Sequence, residues 1–568
     1  MKNSLLVLFL FISASCLSQP ETVFFNARIF TADPNKPFAE AVAIRGEDII
    51  AVGKLADVKA MVSAKAVMKD LQGAFLMPGM IDAHSHAISG GKSLLKPNLF
   101  EEEKTPGELL TYIRKLIKEK KGLTGDILLV YGVNIATWAD LKTLQKNFNT
   151  KEFSSQAVYL EGSDGHTAWV NRVMLEKAGI NKSYIDNLPS SIQKYYDREK
   201  DGEPTGFVTD SGLHKLEAAL PVDPNEDLRG ADEAIRHCNS LGITAWLEPS
   251  ACKATDPGDG ILPAYQYLIT EKKLTAHVAA ALVADPNLDA QTQISRLKSL
   301  QAKYDKSNDF HIIGFKIFAD GVLEYPAQTA AISIPYTNGS TNGKLLFDTE
   351  NFKSFVTLVD KQNLLVHVHA IGDLAVTETL NGFEFMRKMN GNSILPHSIT
   401  HLQLILAKDI SRFQMLNILP VMQLRWAFGD VTTVDIVKPY IDPSLFKRQY
   451  PAKSLQRAGA FVCGASDWPV STANPFEAMA TAETRSGNRG VLDSTERMSR
   501  NSMLYAYTLN AAMAILMDKR IGSIQAGKSA DIIMVDRDLT KVSSAELSEA
   551  KILWTMFRGQ TVYTAPKK

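Results

Sequence analysis

Between Asp126 and Pro469 short apolar bursts end repeatedly on a polar residue, with stretches of helical spacing between them. They are DILLVYGVN at Asp126, AVYLEGSDGH at Ala157, GITAWLEP at Gly242, IIGFKIFADG at Ile312, LLVHVHAIGD at Leu364, SITHLQLI at Ser398, ILPVMQLRW at Ile418 and AFVCGASDWP at Ala460. Strands alternating with helices mark parallel βα units, because two parallel neighbours need a crossover long enough to hold a helix. About eight such units predict an α/β fold, a TIM (β/α)8 barrel over 78–518. The region 91–232 holds more residues than one or two units need, so an insertion over the barrel mouth is expected there.

The chain ends read differently. Near the start, TVFFNARIFTAD, AEAVAIRGEDIIAVG and LQGAFLMPG are short strand-like pieces broken by turns, and IGSIQAGKSADIIMVDRD and ILWTMFRGQTVYTA match them near the end. They predict one small β-sandwich domain built from 19–77 and 519–568. With 45% apolar and 22% charged residues the chain can bury a large core. Lys plus Arg and Asp plus Glu each number 62, so nothing calls for nucleic acid or an anionic surface, and a small molecule is the expected partner. Oligomeric state is open, with a homo-oligomer allowed.

MKNSLLVLFLFISASCLSQPE opens with Lys2, continues with an apolar run from Leu5 to Ile12 and ends on small residues. It reads as a signal peptide over 1–18 and predicts a periplasmic or secreted protein. A lipid anchor through Cys16 is the weaker reading, because Ser13 rather than an aliphatic residue stands three positions before it. No later run of about twenty apolar residues predicts a membrane span. Cys238, Cys252 and Cys463 lack paired spacing and read as buried thiols.

PGMIDAHSHAISG sets His84 and His86 one residue apart after an apolar run, and alternation along a strand turns both to one face. Alone, such a pair serves a metal ion or simply ends a strand. Downstream, His369 closes LLVHVHAIGD, His401 closes SITHL and Asp467 follows AFVCGAS. Histidines and a carboxylate at separate strand ends suffice for one or two divalent ions, with zinc the first expectation and iron, manganese or cobalt open to the same donors. Lys316 stands inside an apolar strand, where an unpartnered and unmodified lysine is rare. His367 shares the face of His369 and competes with it as a ligand. Asp320 reads as a loop-fixing carboxylate and Asp373 as a helix N-cap. His214, His237, His277, His311 and His397 receive no role.

Together PGMIDAHSH, GFKIFADG, HAIGD, the His401 strand, GASDWPV and IGSIQAGKSADIIMVD resemble the amidohydrolase superfamily, in the family's order and over nearly all of the mature chain. DGHTAWVN at Asp164 and GEPTGFV at Gly202 resemble its YtcJ-like, N-substituted formamide deformylase-like branch. The resemblance implies that His84, His86 and Asp467 bind the more buried metal and that His369 and His401 bind a second. It puts Lys316 where many members carry a bridging carbamate; a single-metal site is the alternative. Asp467 would also be the catalytic base.

His166, after a strand and before an expected helical stretch, is either substrate-facing and carbonyl-polarising or part of a turn that Asp164 caps. Asp164 and Trp138 join it as candidate substrate contacts, although packing is the default for Trp138, Trp169 and Trp426. The reaction implied is hydrolysis of a carbon–nitrogen bond other than a peptide bond, in amide, N-acyl, N-formyl or cyclic amide compounds. The alternatives are an esterase, lactonase or phosphoesterase on the same site, and a non-catalytic periplasmic metal- or ligand-binding protein.

Overall fold

From Glu21 the chain lays down β1 (Glu21–Phe30), β2 (Phe38–Arg45), β3 (Asp48–Gly53), β4 (Val67–Asp70) and β5 (Phe75–Pro78). The computed structural model describes residues 20–100, 102–221, 223–339, 341–391 and 395–566. The expected signal peptide and Cys16 lie outside the described residues. Pro78 and Gly79 are the joint into β6 (Met80–Asp82), the first barrel strand. Gly79 is required there, since a Cβ would sit 2.1 Å from Thr244 Oγ1.

After β6 and the helix Ala87–Leu94 the chain leaves the barrel. It builds β7 (Leu123–Thr124), β8 (Ile127–Val133), β9 (Ala157–Gly162), β10 (Thr167–Val170), β11 (Tyr196–Arg198) and β12 (Pro204–Thr209) before returning in the helix Glu226–Ser240. These strands form their own sheet, ordered β11-β12-β10-β9-β8-β7. Leu128, Val130, Leu160 and Trp169 pack one side of it, and Leu129, Tyr159 and Val170 pack the other. The two bursts at Asp126 and Ala157, expected in the barrel, are therefore strands of the insertion. They are parallel and buried on both faces, so their apolar pattern equals that of a barrel strand. His166 precedes a strand and not a helix, because TAWV pairs antiparallel with both β9 and β12.

The barrel continues with β13 (Ile243–Lys253), β14 (His277–Val283), β15 (Phe310–Phe318), β16 (Leu365–Ala370), β17 (Ser398–His401), β18 (Leu419–Met422) and β19 (Cys463–Gly464). The parallel sheet runs β19-β18-β17-β16-β15-β14-β13-β6. Strand β14, HVAAALV, was not among the expected bursts, since alanine carries little β-propensity. Ala245, Leu247, Ala279, Ala281, Val421 and Ala465 fill the interior, and Ala511 and Ile515, at the helix Leu509–Ala514, pack against them. The edges β6 and β19 are drawn together by Ala83 N–H donating to Gly464 O (3.0 Å) and Asp467 N–H donating to His84 O (2.8 Å).

Beyond the hairpin β20 (Ser486–Gly487) and β21 (Gly490–Val491), the chain ends with β22 (Ile532–Val535), β23 (Ile552–Phe557) and β24 (Gln560–Thr564). The two ends pair with each other, Ile533 of β22 standing opposite Met77 of β5. In place of the expected sandwich they form one branched eight-stranded sheet, ordered β24-β23-β22-β5-β1-β2-β3 with β4 on β1. An irregularity in β1 between Phe25 and Ile29 produces the branch: Thr22–Phe25 pair with β4, and Arg28 and Ile29 with β5. Phe75, Met77 and Ile533 of this sheet join the same core as the barrel's outward residues.

Candidate metal centre and substrate cavity

His84 and His86 follow β6 directly, and Asp467 follows β19, so the closing seam of the barrel brings them together. Asp467 Oδ1 lies 3.2 Å from His84 Nε2 and 3.3 Å from His86 Nε2. One donor atom from each of the three falls within 4.8 Å of the others, a grouping that can hold a metal ion. Asp82, two residues before His84, staples the seam. It accepts His84 N–H (3.1 Å) and Ser466 N–H (3.0 Å) on Oδ1 and the Ser466 hydroxyl (2.5 Å) on Oδ2. Asp467 and His401 both hold positive φ, 57° and 75°, a strained backbone worth about 1–3 kcal/mol each that persists where surroundings over-determine it.

One ring nitrogen of each of His84, His369 and His401 is tied off. His84 Nδ1 lies 2.6 Å from His367 Nε2, and His367 Nδ1 lies 2.6 Å from Ser398 Oγ. His369 Nε2–H donates to Gly321 O (3.0 Å), and His401 Nδ1–H donates to Gln423 Oε1 (3.2 Å). Gln423 Nε2 in turn donates to Thr400 Oγ1, which fixes the direction of that amide. A proton on each of these bonded nitrogens leaves a lone pair on the second nitrogen of the ring, as hydrogen bonds behind a ligating imidazole do.

Burial, followed by the Lys316 charge, pushes His84 down to about 3, and burial likewise takes His369 and His401 well below the ordinary histidine range. Burial alone would raise Asp467, but His84, His86 and His401 hold it well below the usual carboxylate range. Asp467 Oδ1 is buried and accepts no well-aligned hydrogen bond. Two imidazole nitrogens and a carboxylate oxygen gathered at one buried point are a donor set that fits a divalent ion.

The remaining residues named from sequence gather around the same point. Lys316 is 1% exposed, its Nζ 3.5 Å from His84 Nε2, and burial lowers it to about 7. His401 Nδ1 is 3.8 Å from Asp467 Oδ2, and the His369 and His401 rings lie 4.5 Å apart. His367 supports the back of His84. Asp320 fixes loops as expected, accepting the N–H groups of Ile371, Gly372 and Ala331. Asp373 is not the N-cap: Gly372 holds that place, and Asp373 Oδ1 accepts Ser333 N–H instead.

The insertion supplies the opposite wall. Asp164 Oδ1 accepts His166 N–H (3.1 Å), Thr167 N–H (3.0 Å) and the Thr167 hydroxyl (2.8 Å), forming the expected turn, while its Oδ2 is buried without a partner. His166 Nδ1 lies 2.8 Å from Asp210 Oδ1, and its ring sits 5.8 Å from that of His369. Burial alone would lower His166, but the hydrogen bond and charge of Asp210 raise it to about 9. The sequence reading missed Asp210, although it ends the TGFVTD strand as a polar residue after an apolar burst. Trp138 takes its packing role: it is 1% exposed, donates Nε1–H to Thr167 Oγ1 (2.8 Å) and lines neither cavity at the histidines. Trp426 lies on the wall, stacked on His401 at 5.6 Å.

Two cavities meet at His166, His369, His401, Asp164 and Asp467. One runs toward Ser93, Asn98, Tyr131 and Glu161, between the first barrel helix and the insertion. The other is lined by Ile135, Trp426, Phe428, Glu324 and Gln403.

Residues 68–563 match the model of the amidohydrolase family. The chain is 26% identical over 87% of its length to the putative amidohydrolase YtcJ of Bacillus subtilis, covering 90% of that protein. It is 24% identical over 96% of its length to the N-substituted formamide deformylase of Arthrobacter pascens, covering 98% of it. Among solved structures, an uncharacterized metal-dependent hydrolase from Pyrococcus horikoshii superposes with a TM-score of 0.70 at 24% identity, covering 92% of this chain and 99% of that one, a likeness of fold. A family match across most of the chain, on a barrel whose strand ends converge on histidines and one aspartate, establishes that this protein belongs to the amidohydrolase family.

Proposed function

We propose that this protein is a metal-dependent hydrolase of carbon–nitrogen bonds outside peptides, acting on an amide, N-acyl, N-formyl or cyclic amide compound. The observation that carries the reading is the grouping of His84, His86 and Asp467 donor atoms at one point, with the rings of His369 and His401 beside it. His84, His86 and Asp467 would hold one ion, His369 and His401 a second, and Lys316, as a carbamate, would bridge them. Zinc is the expected metal. An ion so held supplies a water acidified from a pKa of about 16 to near 7 and a Lewis acid for the carbonyl.

The protein's own groups perform the proton steps. Asp467 Oδ1, free of protein donors, accepts the proton of the attacking water and returns it to the leaving nitrogen. His166, kept as an imidazolium by Asp210, donates toward the carbonyl oxygen as it gains charge, and Asp164 Oδ2 accepts a substrate N–H. The insertion excludes water from the opposite side. The deformylase relative supports the amide reading over an ester or phosphoester.

Elemental analysis of the purified protein, followed by a panel of amides, esters and phosphotriesters, tests the proposal. It requires one or two equivalents of metal and amide turnover that a chelator abolishes. Turnover of esters or phosphotriesters alone would overturn it. The same reading carries residues 1–18 as a secretion signal, tested by the N-terminal sequence of protein recovered from the periplasm or medium.

A further inference from the structure

The cavity under Trp426 and Phe428 is built for positive charge. Its far end holds Glu324, 9% exposed, beside Gln403, 1% exposed. Gln403 Nε2 spends its two hydrogens on Glu324 Oε1 (3.1 Å) and Gln449 Oε1 (3.3 Å). The Glu324 carboxylate also receives the backbone N–H groups of Glu324 and Leu323, and both Glu324 and Gln403 line the cavity. A buried carboxylate beside an amide whose two hydrogens are already spent leaves this end of the cavity able to accept hydrogen bonds and not to donate them, which suits a ligand bearing N–H groups.

The walls agree. Asp430 adds a second carboxylate, and Trp426 and Phe428 offer ring surface on which a cation is attracted. Among the described residues no lysine or arginine lines this cavity, the His166 imidazolium standing at the end shared with the histidine centre; Arg425 stacks on Phe428 (4.8 Å) but is not part of the lining. Burial raises Glu324 to about 7, so an adjacent cation would hold it ionised.

We propose that this cavity binds a cationic nitrogen of the substrate, an ammonium or guanidinium group at the end of an apolar arm, with Glu324 and Gln403 as its acceptors. The reading rests on the proposed hydrolysis at the adjoining centre and narrows its substrates to amides bearing a basic group remote from the scissile bond. Glu324 is a specificity residue; it takes no part in the bond-breaking step.

The test uses mono-N-acetylated α,ω-diamines with three to six methylenes, each against the neutral N-alkylacetamide in which methyl replaces the ammonium. Turnover and calorimetric binding are measured on the metal-loaded protein. A charge-assisted pair predicts at least about tenfold higher kcat/KM and tighter binding for the cationic member at the best length. In Glu324→Gln that preference falls to within about threefold. If the variant melts early, Gln403→Leu is read instead and should lose preference in the same direction. Equal treatment of the two members, failure of the cationic member to bind, or a preference intact in the variants would overturn the proposal. Glu324-dependent binding of the cationic member without cleavage upholds this site and overturns the amide-hydrolase reading. Cleavage without preference does the reverse.

Discussion

His84 Nδ1 and His367 Nε2 lie 2.6 Å apart in the buried interior of the barrel, and His367 is braced in turn by Ser398. This chain of hydrogen bonds decides which nitrogen of His84 faces Asp467. Replacing His367 by Phe removes the acceptor, leaves the His84 tautomer unspecified and should weaken metal binding about 10- to 100-fold. Competition with a chromophoric chelator measures it, alongside a far-UV spectrum that should not change. Unaltered metal retention would show that His367 merely packs.

Asp210 reaches His166 across the insertion, from a backbone at φ 43°. Asp210→Asn keeps the shape and removes the charge that raises His166 to about 9. The donor form of His166 would then be lost at lower pH, so the alkaline limb of kcat/KM should move toward acid, with the maximum falling about 10²-fold. The pH profile checks this, since a merely structural loss would lower the curve without shifting the limb.

Beneath the barrel, His277 of β14 lies 2.9 Å from Asp309 and 2.9 Å from Asp531 of β22. Arg520 and Arg558 also reach Asp309, and Glu47 pairs with Arg558. Burial alone would lower His277, but the two aspartates raise it overall. A raised folded pKa means that the imidazolium stabilises fully below the unfolded value near 6.5 and that this contribution fades as pH rises through the folded value. His277→Ala should therefore lower the melting temperature most at mildly acidic pH, with a loss of about 3 kcal/mol from the stranded carboxylates. A difference that grows toward alkaline pH would contradict it.

The helices Ala87–Leu94 and Glu226–Ser240, which bracket the insertion, cross at two glycines. A Cβ on Gly91 would meet Gly230 O at 1.9 Å, an overlap that no side-chain rotation relieves. Gly91→Ala should destabilise by about 1–3 kcal/mol and expose the insertion to protease before the barrel. Limited proteolysis followed by mass spectrometry reads which segment is cut first.

Metal removal should lower the melting temperature, because the lone pairs and the Asp467 carboxylate are left facing one another. Re-adding ion at about 100 times its dissociation constant should restore about 2.7 kcal/mol. Calorimetry on chelated and reloaded protein measures the difference, and identical melting would place the ion elsewhere.

Much of this was legible along the chain. Period and burst length pointed to βα units, and polar residues at burst ends singled out His84, His86, His369, His401 and Asp467, because a strand's last inward residue faces the barrel mouth wherever the strand sits in the sheet, while Lys316 stood out as a charge inside an apolar strand. Asp320 was legible as a loop-fixing carboxylate for a similar local reason.

What the chain could not specify was partnership. The same apolar run makes β8 in the insertion or β15 in the barrel, and only the strand beside it decides. The alanine-rich β14 stays hidden until its neighbours bury it. The ends' fusion into one branched sheet depends on an irregularity in β1 that matters only when β4 and β5 arrive beside it. Asp82, Asp210 and Glu324 acquire meaning from residues 384, 44 and 79 positions away. Sequence determined the local chemistry, which side chains stand at which strand ends. Tertiary structure alone decided which of them share a cavity, because hydrogen bonding and burial act between neighbours in space and leave no periodic trace in the chain.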